Sequence, residues 1–118
     1  MSLLLTFRVA ETFGPVLVLL VVDSLDEAIE AANDTEYGLS AAVLTNDIRA
    51  GMRCVREIEA GSVHVGMHSF QSDAMAPVGG TKMSGIGKTG GKFCLDHFSE
   101  LKWAAIELGE SGMPPAFA

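Results

Sequence analysis

Glu11-Thr12-Phe13-Gly14-Pro15-Val16 sets a carboxylate and an aromatic ring two residues apart, which places both on one face of an extended segment. Such a pair could grip one ligand, the carboxylate accepting from both hydroxyls of a ribose while the ring packs on sugar or base. The same residues equally suit the start of a strand, with a solvated Glu11 and a core Phe13. Cys94 and His97 stand one helical turn apart, the spacing of a thiolate–imidazolium pair or of half a metal site. With no further ligand beside them they read as a partly buried cysteine and a surface histidine. His64 and His68 straddle a strand end, where residues four apart do not share a face as they would on a helix. No metal is expected. Gly85-Ile86-Gly87-Lys88-Thr89-Gly90 spells the dinucleotide fingerprint, but that device needs a strand directly before it. Pro77, Gly79 and Gly80 occupy that place, so the glycines read as a loop. Gly87-Lys88-Thr89 mimics the end of a phosphate loop, yet the required earlier glycine falls on Lys82.

The elements that must position these residues follow from periodicity. Val16 to Val22 is short, apolar and rich in β-branched residues, the pattern of a strand buried on both faces in a parallel sheet. Ser24 with Glu27 forms a capping box, and Leu25, Ala28, Ile29 and Ala32 recur at helical spacing over residues 24 to 34. Leu39 to Leu44 predicts a second strand. Asn46-Asp47 supplies the next N-cap, and Ile48, Met52, Val55 and Ile58 make the apolar stripe of a helix ending at Gly61. Ser62 to Val65 predicts a third strand. Strands alternating with helices of this length imply an α/β fold with a βαβαβ parallel sheet. From Gly66 to Lys92 the periodicity disappears and seven glycines appear, a loop length usually tied to a site. Phe93 to Phe98 predicts a short helix, Glu100 to Leu108 a last strand, and residues 109–118 a loose tail.

Composition narrows the class. The 118 residues are 48% hydrophobic and 19% charged, well away from the corner where chains stay disordered. With 8 Lys+Arg against 15 Asp+Glu the net charge is −7, which argues against nucleic acid and against an anionic membrane surface as partners. Two cysteines fit a reducing, cytoplasmic setting rather than a disulfide-built fold. No apolar run approaches the ~20 residues of a membrane helix, and no basic n-region precedes Leu3-Leu4-Leu5.

Three stretches together carry a resemblance. Glu11-Thr12-Phe13-Gly14-Pro15-Val16 resembles the E-x-F-G-P-V segment of the NAD(P)-dependent aldehyde dehydrogenases. Ala32-Asn33-Asp34-Thr35-Glu36-Tyr37-Gly38-Leu39-Ser40-Ala41 is similar to that family's A-N-x-T-x-Y-G-L-x-A, and Pro77-Val78-Gly79-Gly80-Thr81-Lys82-Met83-Ser84-Gly85 to its P-F-G-G-x-K-x-S-G. The match runs over residues 8–107. It also accounts for the fingerprint, since the family carries S-G-x-G-[RK] in a loop.

The resemblance implies a C-terminal fragment of a longer enzyme: residues 1–99 as part of the catalytic domain, 100–108 as an oligomerisation strand and 109–118 as a loose tail. The family's Rossmann domain, base glutamate and nucleophilic cysteine precede this part. Neither Cys54 nor Cys94 matches the nucleophile, so no catalytic residue is implied here and the piece alone should be inactive. Glu11 and Phe13 match the residues that bind the nicotinamide ribose. Val78 stands where the family's Phe walls the aldehyde pocket, and Gly66 replaces an Asn common after the third strand. In the intact enzyme a thiolate would attack the aldehyde, hydride would pass to NAD or NADP, and water would release the acid from the thioester; none of this cofactor is expected to bind the piece tightly. Glu100-Leu101-Lys102-Trp103 and the loop before Pro77 look most like members acting on aromatic aldehydes such as salicylaldehyde or vanillin. A homo-oligomer through the last strand is implied. The contrasting possibility is a free-standing α/β binding or assembly module with its own pocket.

Overall fold

The computed structural model describes residues 14–71 and 73–106. Helix α1 (Leu25–Asn33) begins where Ser24, in an extended conformation, accepts the Glu27 amide on its hydroxyl at 3.1 Å. Glu27 returns a carboxylate oxygen to the Asp23 amide at 3.0 Å, one residue before the cap, so one unpaired donor of the first turn is satisfied and the entering chain is tied to that turn. Strands β1 (Tyr37–Gly38) and β2 (Ser40–Val43) follow. Helix α2 (Ile48–Glu57) is capped by Asp47, whose carboxylate accepts from the Arg49 amide at 2.8 Å and the Ala50 amide at 3.4 Å. Then come β3 (Ser62–Val65), β4 (Thr81–Lys82) and helix α3 (Gly91–Phe98).

The fold is α/β, with one parallel and one antiparallel pair among the described residues. β2 and β3 run parallel, Ser40 opposite Ser62 and Val43 opposite Val65, with α2 as the crossover. β1 pairs antiparallel with β4, Tyr37 opposite Lys82 and Gly38 opposite Thr81. The second pair was not foreseen, because two residues are too few to show any alternation.

The expected βαβαβ sheet is thereby corrected to a single βαβ unit, β2–α2–β3. Val16 to Val22 forms no ladder among the described residues. Leu17, Leu19 and Val21 are 82–90% exposed, whereas Val16, Val18 and Leu20 are 40–51% exposed. That alternation is the signature of an extended chain with one face turned toward neighbours. No strand lies beside it among the described residues: β-branched residues suit a sheet but do not supply the partner whose hydrogen bonds define one. Residues 101–106 likewise join no ladder among the described residues, and Leu101, Trp103 and Ile106 are exposed. Residues 107–108 and the tail 109–118 lie outside the described residues.

Burial in α2 differs from the predicted stripe. Ile48, Met52 and Val55 are exposed, and the buried residues are Gly51 and Cys54. Glycine lets the helix approach β3 closely: a Cβ at Gly51 would stand 2.7 Å from Val65 Cγ1. The small face therefore meets the sheet, and the larger apolar stripe is left uncovered. Among the described hydrophobic residues only Ile29 and Cys54 are buried.

Arg53 braces α1 against α2. Its guanidinium donates to both Glu57 carboxylate oxygens, at 2.9 and 3.1 Å, and to Asp26 across the helix pair. These hydrogen bonds hold the Glu57 carboxyl below the usual carboxylate range. A depressed folded-state pKa means that the contribution is present above the ordinary Glu range and lost as pH falls through the lower folded value. All three groups are solvent-accessible, so the brace is weak and salt-sensitive.

Two substitutions test the packing. Gly51→Val is expected to lower the stability of the helix–sheet contact by about 1–3 kcal/mol through overpacking against Val65, whereas Met52→Ala on the uncovered stripe should change it by less than about 1 kcal/mol. Urea midpoints followed by helical circular dichroism decide the matter, and equal losses would contradict the assigned helix face.

Candidate functional site

Two stretches of the sequence, residues 32–41 and 77–85, meet at one junction. Asn33, at the end of α1, donates from Nδ2 to the Glu57 carbonyl and accepts the Glu59 amide on Oδ1, both at 2.8 Å. Thr81 donates its hydroxyl between the carbonyls of Glu59 (3.0 Å) and Gly38 (3.2 Å). The Gly38 amide donates to Ser84 Oγ at 2.9 Å. Gly38 is needed here because a Cβ would overlap Thr81 Oγ1 and come within 2.5 Å of the Glu59 carbonyl oxygen.

Lys82 adopts a positive φ of 50°, a conformation that costs energy in a residue other than glycine. In that conformation its ammonium reaches the carbonyls of Asn33 (2.9 Å) and Thr35 (3.1 Å) and pairs with Glu59 at 2.7 Å. A cation on the last carbonyls of a helix complements both their orphaned acceptors and the helix dipole. Lys88 acts similarly on loops, donating its ammonium to the Gly79 carbonyl and, at 3.5 Å, to that of Gly61.

Beyond this junction, Val78 and Thr89 exchange two backbone hydrogen bonds of 2.8 Å. Val78 thereby becomes one wall of a small hollow of about 180 Å³, with Leu39, Ser40, Ser62, Phe70 and Gln71 among the other walls. Ser40 and Ser62 come from the opening residues of β2 and β3. A run of side chains links them: His64 Nε2 lies 3.3 Å from Ser62 Oγ, Ser62 Oγ lies 3.1 Å from Ser40 Oγ, and Ser40 Oγ lies 2.8 Å from the Ser69 carbonyl.

Glu11 and Phe13 lie outside the described residues. Val78 is at the hollow, as a wall. Cys94 and His97 sit on α3, where the His97 ring packs edge-on against Phe98, with centroids 5.1 Å apart, and against the backbone of Gly87. His64 is in β3 and His68 lies beyond the positive-φ turn at Gly66. No group of three or more potential metal ligands gathers among the described residues. The fingerprint glycines follow a two-residue antiparallel strand, and Lys88 is committed to protein carbonyls. The described residues thus do not fit a dinucleotide phosphate at that loop. Ser40, Ser62 and Phe70 were missed as lining residues. Ser40 and Ser62 open the two parallel strands and Phe70 lies in the Gly66–Lys92 loop, and which strand ends that loop would fold back upon was not legible.

The family model described as "Aldehyde dehydrogenase family" matches residues 6–104. The chain belongs to the aldehyde dehydrogenase family. It is 43% identical to the salicylaldehyde dehydrogenase of Pseudomonas putida over 104 residues, covering 88% of this chain and 22% of that protein. It is 36% identical to the vanillin dehydrogenase of Pseudomonas sp. (strain HR199 / DSM 7063) over the same share of each. The crystal structure of a salicylaldehyde dehydrogenase from Pseudomonas putida G7 complexed with salicylaldehyde superposes with a TM-score of 0.80 at 43% identity, over 91% of this chain and 22% of that one. An indole-3-acetaldehyde dehydrogenase complexed with NAD+ superposes with a TM-score of 0.81 at 40% identity, over 92% and 22%. The chain therefore spans about a fifth of the length of these aldehyde dehydrogenases.

Two of the aldehyde dehydrogenase stretches, Ala32 to Ala41 and Pro77 to Gly85, thus hold one another through Asn33, Gly38, Thr81, Lys82 and Ser84. Asn33→Ala removes a donor and an acceptor that both serve backbone groups. It should cost about 1–3 kcal/mol of stability, with Asn33→Asp recovering only part because its carboxylate cannot donate to the Glu57 carbonyl. Chemical denaturation of the three proteins reads this directly, and an unchanged midpoint for Asn33→Ala would refute the role given to Asn33.

Proposed function

We propose that this chain is the part of an NAD(P)+-dependent aldehyde dehydrogenase that places the nicotinamide ribose and walls the aldehyde pocket, and that the intact protein oxidises an aromatic aldehyde to its acid. The observation that carries this is the 43% identity with a salicylaldehyde dehydrogenase over 88% of the chain, joined to a shared backbone course. The slight burial among the described hydrophobic residues supports a part that packs on further protein, since a self-sufficient module would cover its own apolar stripe on α2.

Glu11 and Phe13 are assigned to the nicotinamide ribose, the carboxylate accepting from its hydroxyls and the ring packing beside it. Val78 walls the aldehyde pocket with a smaller side chain than the family's Phe. NAD(P)+ would accept the hydride, while nucleophile and base come from outside these residues. The exposed Leu101, Trp103 and Ile106 support an edge that pairs with a second copy, giving a homo-oligomer. Among the described residues no helix is long and apolar enough to cross a membrane, and a cytoplasmic setting is part of the proposal.

Two outcomes test it. The 118-residue chain alone should produce no NADH from aldehydes, because ribose contacts cannot replace a nucleophile and base; thiol-dependent turnover by the pure chain would overturn this. In the intact enzyme, Glu11→Gln should slow single-turnover hydride transfer by roughly 10- to 100-fold through misplacement of the ring, with acyl-enzyme hydrolysis little changed. Unchanged hydride transfer would remove Glu11 from the site.

A further inference from the structure

Gly61, Gly79 and Gly87 stack three stretches of backbone on one another just before β3. A Cβ at Gly61 would overlap the Gly79 carbonyl oxygen, and a Cβ at Gly79 would overlap that of Gly87. At Gly87 the next layer is a side chain, because a Cβ there would overlap His97 Cε1 and stand 2.6 Å from Nδ1. The His97 ring closes the stack from outside.

Two of these layers shape the hollow beside Val78. Val78 and Gly79 line it with one layer, and Ser62, the neighbour of Gly61, lines it with the layer below. Their separation is therefore a dimension of the hollow. Lys88 pins the inner layers, its ammonium donating to the Gly79 carbonyl and, at 3.5 Å, to that of Gly61. Gly87 has no such tie, since among the described residues neither its amide nor its carbonyl is hydrogen-bonded. It is held by packing, and a gap of roughly 0.5–1 Å already forfeits about a quarter to a half of a dispersion contact.

His97 is placed to prevent that gap. Its helix, α3, is fastened at its start to the residues just before Pro77: the Gly91 amide donates to the Ala74 carbonyl at 2.9 Å, and a Cβ at Gly90 would overlap the Ala76 carbonyl oxygen. The ring meets Phe98 edge-on and, among the described residues, makes no hydrogen bond or ion pair. It acts by shape. From these observations we infer that His97 is a positioning residue for the hollow, setting the Val78–Gly79 wall through the Gly87 backbone. That this wall faces an aldehyde rests on the function proposed above; the positioning does not depend on it.

Two substitutions that break the same contact test this. In the 118-residue chain, His97→Ala and Gly87→Ala should each shift the Val78 methyl signals, the first by removing the ring and the second by displacing it. The double variant should add nothing beyond the larger single effect, as expected of two residues that share one contact. In the intact enzyme His97→Ala should raise KM for benzaldehyde about three- to tenfold, with KM for the nicotinamide cofactor and kcat for acetaldehyde unchanged. His97→Phe, which keeps a flat ring over Gly87, should hold KM for benzaldehyde within about twofold of the unsubstituted enzyme. Val78 signals unmoved by either single variant, additive shifts in the double variant, or an unchanged KM for benzaldehyde in an active His97→Ala enzyme would overturn the inference. Shifted Val78 signals in an intact protein that oxidises no aldehyde would sustain the positioning while removing the dehydrogenase reading.

Discussion

Thr81 holds its hydroxyl between two carbonyls from different parts of the chain, those of Gly38 and Glu59, and the remaining architecture hangs on that junction. β1 and β4 are only two residues each, too short to persist on ladder bonds alone. They persist because Thr81, Ser84 and Lys82 add side-chain bonds to Gly38, Glu59 and the end of α1. The Lys82 backbone takes up strain that its three oxygen partners offset. Once Pro77 to Gly85 is held in this way, Val78 and Thr89 close the next turn of the loop. A glycine-rich segment without periodicity becomes a positioned wall. The fixed wall is what gives the hollow a defined shape, so the chemistry proposed for it descends from the junction.

The apolar surface left over has a consistent geometry. The Ile48, Met52 and Val55 stripe, the 16–22 segment and residues 101–106 each present large exposed hydrophobic side chains. Single exposed apolar residues are ordinary, but contiguous ones mark contact surfaces. Against them stands a net charge of −7, which is screened beyond about 10 Å in ordinary salt. The association proposed above, with further enzyme or with another copy, would cover this surface.

Helices were legible because their signals are local. Ser24 with Glu27 and Asp47 placed two N-termini correctly, since a cap is decided by residues within one turn of it. The parallel pair β2–β3 followed from its crossover helix. What could not be read was anything that depends on a distant partner: whether Val16 to Val22 would find a neighbouring strand, which face of α2 would meet β3, and that Tyr37-Gly38 would pair with Thr81-Lys82 across 43 residues. Gly51 was the overlooked signal, because a glycine inside an amphipathic helix costs about 1 kcal/mol against alanine unless close approach requires it. The family stretches were recognisable as motifs, but their mutual contact was not. Nor was the Ser40, Ser62 and His64 run, whose members are spread over two strands. Glu11 and Phe13 remain assigned from sequence alone.

A double-mutant cycle between Asn33→Ala and Thr81→Val tests the junction most directly. The two side chains touch different atoms of the same peptide segment, Asn33 at the Glu59 amide and Thr81 at the Glu59 carbonyl. If the segment is held as one unit, the stability losses will be non-additive, with a coupling of about 0.5–3 kcal/mol. Strict additivity within about 0.3 kcal/mol would show two independent contacts and contradict the account.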